Sequence, residues 1–124
     1  METLIQPTVK VDISPELLEQ YQEEKQIVVI VERHFAKKVY VDAQIRLVDL
    51  DSDAQATLIT AANITFYPEL TDVRNMNEPT HIVFSGLPKS CRRFSLVEPK
   101  RPQMIPWVVE NIARNDTDVY RLDI

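Results

Sequence analysis

Val39-Tyr40-Val41-Asp42-Ala43-Gln44-Ile45-Arg46-Leu47 decides the fold class of this 124-residue chain. Val39, Val41, Ala43, Ile45 and Leu47 are apolar, and three of the four residues between them are strongly polar. Successive side chains of an extended strand leave opposite faces, so this alternation predicts a half-buried β-strand over 39–48.

The pattern extends in both directions. Downstream, Asp49-Leu50-Asp51-Ser52-Asp53 is a cluster of turn formers. A strand is expected over 57–67, with Leu58, Ala62, Ile64 and Phe66 on one face and Pro68 ending it. A polar loop follows over 68–79, then strands over 80–85 (Ile82 and Phe84 inward) and 93–98 (Phe94 and Leu96 inward). Pro99, Pro102 and Pro106 lack the amide that a ladder needs, so 99–106 reads as a surface connection. Residues 107–112 fit a strand or a short helix, and 119–124 close the chain as a strand with Tyr120, Leu122 and Ile124 on one face. Upstream, Ile27 to Val31 is an unbroken β-branched run that reads as a strand buried on both faces.

Residues 1–25 differ. Val9, Val11 and Ile13 alternate with Lys10 and Asp12 as a short extended arm. Ser14-Pro15-Glu16 then carries the cap, the first-turn proline and the acidic residue of a helix start. The expected architecture is therefore an arm with one short helix over 1–25 and an all-β domain over 26–124. Seven or eight strands at turn spacing fit an antiparallel two-sheet sandwich, immunoglobulin-like in outline. A closed barrel around a small ligand is the alternative, but the Asn-Gly and Asp-Gly turns common in barrels are absent from the sequence.

Composition removes several functions. With Gly86 as the single glycine, neither a dinucleotide-binding turn nor a Walker loop can be written. The net charge is −5, with −7 over residues 1–80 and +2 over 81–124, and the acidic total argues against a dedicated nucleic-acid binder. Cys91 is the only cysteine, so no internal disulfide forms. No apolar run is long enough to span a membrane. The first residues lack the basic and apolar regions of a secretory leader, so with Met1 as the native start a cytoplasmic location is expected.

The densest basic cluster is Lys89, Arg92, Arg93, Lys100 and Arg101, with Phe94 among them. Arginine forks match phosphate and carboxylate oxygens, and an aromatic beside them suits a single-stranded nucleic acid; the bland alternative is a solvated strand end. Glu32, His34, His81 and Cys91 have the atoms of metal ligands but not a metal-binding spacing, so no metal is expected. Cys91 and His81 across the Gly86-Leu87-Pro88 turn lack a legible oxyanion hole or orienting group. Asp49, Asp51 and Asp53 lack the glycine and glutamate of a calcium loop. Trp107 is expected in the core rather than as an exposed partner contact.

The sequence thus predicts a non-enzymatic protein-interaction or structural module that needs no cofactor. Its partner would be another protein or a second copy, reached through sheet edges or the N-terminal arm. A small-ligand carrier, or anion and nucleic-acid binding at the basic cluster, are the alternatives. Gly86-Leu87-Pro88-Lys89-Ser90-Cys91 and Arg114-Asn115-Asp116-Thr117-Asp118-Val119-Tyr120 look like motifs without an attached activity.

Overall fold

A computed structural model describes residues 25–124. The arm and helix expected over 1–25 fall, but for Lys25, outside them. The described chain is all-β: β1 (Ile27–Arg33), β2 (Lys38–Val39), β3 (Arg46–Asp49), β4 (Gln55–Ala62), β5 (Thr71–Asp72), β6 (Thr80–Phe84), β7 (Arg93–Val97), β8 (Val108–Ala113) and β9 (Val119–Asp123). One 3-10 turn, Val73–Asn75, is the only helical element among the described residues.

Seven strands form one curled sheet in the order β8-β7-β3-β4-β6-β1-β9, and β2 pairs with β5 apart from it. The sheet is mixed, which corrects the expectation of a wholly antiparallel fold. β9 lies parallel to β1, Val29 beside Tyr120 and Val31 beside Leu122, while every other ladder is antiparallel. β1 sits between β6 and β9, and burial of Ile27, Val29 and Val31 on one face and of Ile30 on the other accounts for its apolar run.

The expected strand over 39–48 is two pieces with a turn between them. The Asp42 carboxylate accepts from the Gln44 amide at 2.9 Å, and the Asp42 carbonyl accepts from the Ile45 amide at 3.0 Å. Aspartate side chains favour such turns because they satisfy backbone amides locally. The turn exposes Ala43 and Gln44, buries Asp42, and returns Ile45 to the inward face of Val41 and Leu47. Because the excursion takes an even number of residues, period two survives it and hides the break.

β4 also departs from its expected bounds. It ends at Ala62, and Asn63, with φ 66°, turns the chain in the left-handed region. A bulge between Leu58 and Thr60 throws Ile59 outward, so Ala61 rather than Ala62 takes the next inward place. Phe66 is exposed instead of facing the core. Residues 107–112, ambiguous in sequence, lie in β8 apart from Trp107.

The scarcity of glycine has a local answer. Asn63, Gln103, Asn111 and Asp118 hold the positive-φ positions, three of them residue types that tolerate this region best after glycine.

The core fills the inside of the curl with Ile27, Val29 and Val31 of β1, Leu47 of β3, Ile82 and Phe84 of β6, and Phe94 and Leu96 of β7. Tyr120 of β9 meets Phe94 edge to face at 5.0 Å. No helix among the described residues is long and apolar enough to cross a membrane.

Candidate interaction surface

The connections β1–β3, β4–β6 and β7–β8 converge at one end of the curl. This follows from strand direction: the ends of β1, β4 and β7 and the starts of β3, β6 and β8 lie together there. Val41 bridges Phe66, Val39 pairs with Thr71, and the His34 and Trp107 rings stack at 5.6 Å.

Two carboxylates hold these loops. Asp42 is buried, and Arg101 grips it with both arms of its fork, Nε to Oδ2 at 2.7 Å and Nη2 to Oδ1 at 3.1 Å. Glu98, also buried, accepts from the Trp107 amide at 2.9 Å and from the Asp42 amide at 3.1 Å. The Arg101 guanidinium lies 5.4 Å from the centre of the Tyr67 ring, and Tyr67 packs on Tyr40 at 5.0 Å. One pair of carboxylates therefore ties the β2–β3 turn to both ends of the proline-rich 99–106 connection.

The electrostatics follow from these partners. Hydrogen bonds from Arg101 hold the Asp42 carboxyl below its ordinary range, against burial. Burial pushes Glu98 up, although the Trp107 and Asp42 amides oppose it. Burial, then the Glu98 and Asp42 charges, push the Tyr40 phenol up, and burial lowers His34. His34 Nε2 lies 2.8 Å from Thr80 Oγ1, whereas His34 Nδ1 and the Tyr40 hydroxyl are buried without a partner among the described residues.

A depressed folded-state value means that the unfolded chain binds the proton more readily. The stability from Asp42 is thus fully present above about pH 4 and lost as pH falls through the folded value. Melting temperatures of the wild type and Asp42→Asn, followed from neutral to acid pH, should converge as that value is passed. A constant gap would show that the Arg101 pair does not set the acid limb. Glu98, with a raised value, acts in the opposite sense: its contribution is lost as pH rises.

This end also displays apolar side chains. Phe35 is 70% exposed and Ile105 90% exposed, one next to His34 and the other two residues before Trp107. Phe66 and Leu70, in the β4–β6 connection, are exposed as well. All four are carried on the connections of this one end rather than within its strands.

The residues singled out in the sequence lie elsewhere or are already engaged. Lys89, Arg92 and Arg93 lie toward the start of β7, at the opposite end of the curl, while Lys100 and Arg101 follow its last residue. Phe94, between them, is fully buried in the core. Arg93 donates to Asn111, Lys100 to the carbonyls of Arg101 and Met104, and Arg101 to Asp42. Among the described residues no three His, Cys, Asp or Glu side chains gather as metal ligands would. Trp107 packs against the core but is only half-buried.

Cys91 and His81 are at opposite ends: His81 is exposed near the start of β6, and Cys91 is buried at the Arg114 end. Burial, then Asp49, push the Cys91 thiol up to about 11, so it stays protonated at neutral pH.

The two motif-like segments meet there as well. Arg114 forks onto Asp118 at 2.6 and 3.1 Å, and donates to the carbonyls of Pro88, Cys91 and Leu87 at 3.0, 3.3 and 3.4 Å. The Tyr120 hydroxyl donates to Asp118 and accepts from the Asn115 amide. Each segment supplies half of one structural clasp.

Sequence reasoning passed over Phe35, Asp42, Glu98 and Ile105. Phe35 and Ile105 carried a legible signal, since each is a large apolar residue in a connection with no strand to bury it. Glu98 carried none, because its role depends on which loops meet. The chain matches no protein-family model, no curated protein and no solved structure.

Proposed function

We propose that this chain is a non-enzymatic protein-interaction module on an immunoglobulin-like two-layer framework, and that it takes an apolar segment of another protein at the loop end. The observation that carries this reading is the pair Phe35 and Ile105, exposed to water yet rooted beside the His34–Trp107 stack and the Glu98 and Asp42–Arg101 bonds. Loop backbone already held by neighbouring bonds loses little freedom on binding, so more of the buried apolar area appears as affinity. β4 supports the two-layer description, since it passes from pairing with β3 to pairing with β6 across its bulge.

The interior of the curl is occupied by Phe84, Phe94, Ile27, Ile45 and Leu47, which favours surface binding over a carrier of small molecules. Anion or nucleic-acid binding is less supported, because the basic residues divide between two ends and Phe94 is not offered to a base.

The test compares the wild type with Phe35→Ser/Ile105→Ser as immobilised baits in cell extract, with circular dichroism confirming that both are folded. Proteins retained by the wild type should be lost from the double variant, or a wild-type dimer should become monomeric in light scattering. Unchanged retention and unchanged mass would overturn the proposal.

A further inference from the structure

The fold regroups the basic residues. Arg33 ends β1, and Lys37 and Lys38 lie in the β1–β3 connection, so all three reach the loop end together with Lys100 and Arg101. Arg33, Lys37, Lys38 and Lys100 are exposed. The acidic residues of the β1–β3 and β7–β8 connections are not. Asp42 and Glu98 are buried, and Arg101 forks onto Asp42. These two connections therefore show water an excess of positive charge, in a chain whose total is −5.

The β4–β6 connection has the opposite balance. It carries Glu69, Asp72, Arg74 and Glu78. Arg74 donates to both oxygens of Asp72, at 3.2 and 2.9 Å, and Lys38 stands opposite Asp72 in the β2–β5 ladder. Glu69 and Glu78 are exposed. Glu69 closes a turn, its amide donating to the Phe66 carbonyl at 2.9 Å, and it directly precedes Leu70.

Charge at the loop end is thus divided as the apolar side chains are. Phe35 lies in the chain between Arg33 and Lys37-Lys38. Ile105 follows Met104, whose carbonyl accepts from Lys100 Nζ at 2.7 Å. Phe66 and Leu70 have Glu69 instead. The two halves adjoin, since the Val73 amide donates to the Lys37 carbonyl at 2.9 Å and Val41 bridges Phe66.

We propose that the partner segment taken at the loop end is acidic on one side only: its apolar residues cover Phe35 and Ile105, and its aspartates or glutamates face Arg33, Lys37 and Lys38. This deepens the protein-interaction reading above and rests on it. Opposite charges across an interface steer the encounter and fix how the partner lies, while like charges brought together are penalised. A segment turned end for end would set its carboxylates against Glu69, so one orientation is selected. An anionic lipid surface fits less well. It presents negative charge evenly, and seating this end in it would bring Glu69 and Glu78 to the same surface.

Random peptides displayed on phage and selected on the immobilised full chain supply the probe. The enriched peptides should combine large apolar residues with Asp or Glu at one end. The best of them, made synthetically, should bind Lys37→Glu/Lys38→Gln at least about tenfold more weakly than the wild type. Exchanging its acidic residues for lysine should restore binding to that variant. Glutamine rather than glutamate is placed at 38 because Asp72 stands opposite, and circular dichroism checks that the variant is folded. Enriched peptides without acidic residues, lost from Phe35→Ser/Ile105→Ser, would overturn this inference and leave the loop-end reading standing. Peptides indifferent to Phe35→Ser/Ile105→Ser would overturn that reading as well. Two further results would contradict the proposal, each with no peptide enriched. Capture by phosphatidylserine vesicles would make the ligand a lipid. A dimer in light scattering that dissociates in Lys37→Glu/Lys38→Gln would make it a second copy of this chain.

Discussion

Phe94→Ala should lower the unfolding free energy by about 3–5 kcal/mol, the usual cost of emptying a buried phenylalanine site. Phe94 lies on β7 between Asp49 of β3 and Ile112 of β8, with its ring edge to face against Tyr120 of β9. It therefore joins strands from both ends of the sheet order, and its loss leaves a void that none of them can close alone. Domains of this size are stable by only about 5–15 kcal/mol, so the loss is a large share of the total. Urea denaturation followed by circular dichroism measures it. A change below about 1 kcal/mol would mean that the ring lies at the surface, free to stack on a ligand as the neighbouring arginines suggest in sequence.

Arg114→Ala is expected to rank next, at about 3 kcal/mol, because removing one partner strands the other and its acceptors. Asp118 would lose a two-armed partner, and the carbonyls of Leu87, Pro88 and Cys91 would lose their donor. Arg114→Lys should recover little of this. A lysine ammonium is a compact charge, and the fork geometry is what lets one side chain serve a carboxylate and three carbonyls together. The same denaturation measurement applies. Full rescue by lysine would show that charge alone, rather than the fork, holds the clasp.

Much of the fold was legible because burial imposes a period. Ile82 and Phe84, Phe94 and Leu96, and Tyr120, Leu122 and Ile124 all face as their alternation predicts. The signal failed where hydrogen bonding changed the chain path without disturbing the pattern. Asp42 builds its turn inside an apparently continuous strand, and the Ile59 bulge shifts the phase of β4 by one residue. The parallel β1–β9 ladder was hidden too, since pairing direction leaves no mark on the period of an isolated strand. The candidate surface was least legible. Arg101 and Asp42 are 59 positions apart, and Glu98 becomes an organising group only once the turn at Asp42 and the start of β8 are brought to it.

The most direct measurement is photo-cross-linking with benzoylphenylalanine placed at position 105 or, as a control, at Ser52 in the β3–β4 turn at the opposite end. A discrete protein product is expected from position 105, lost when Phe35 is also changed to Ser, and none of it from position 52. The same products from both positions, or a position-105 product indifferent to Phe35, would contradict the claim that the loop end is where this protein meets its partner.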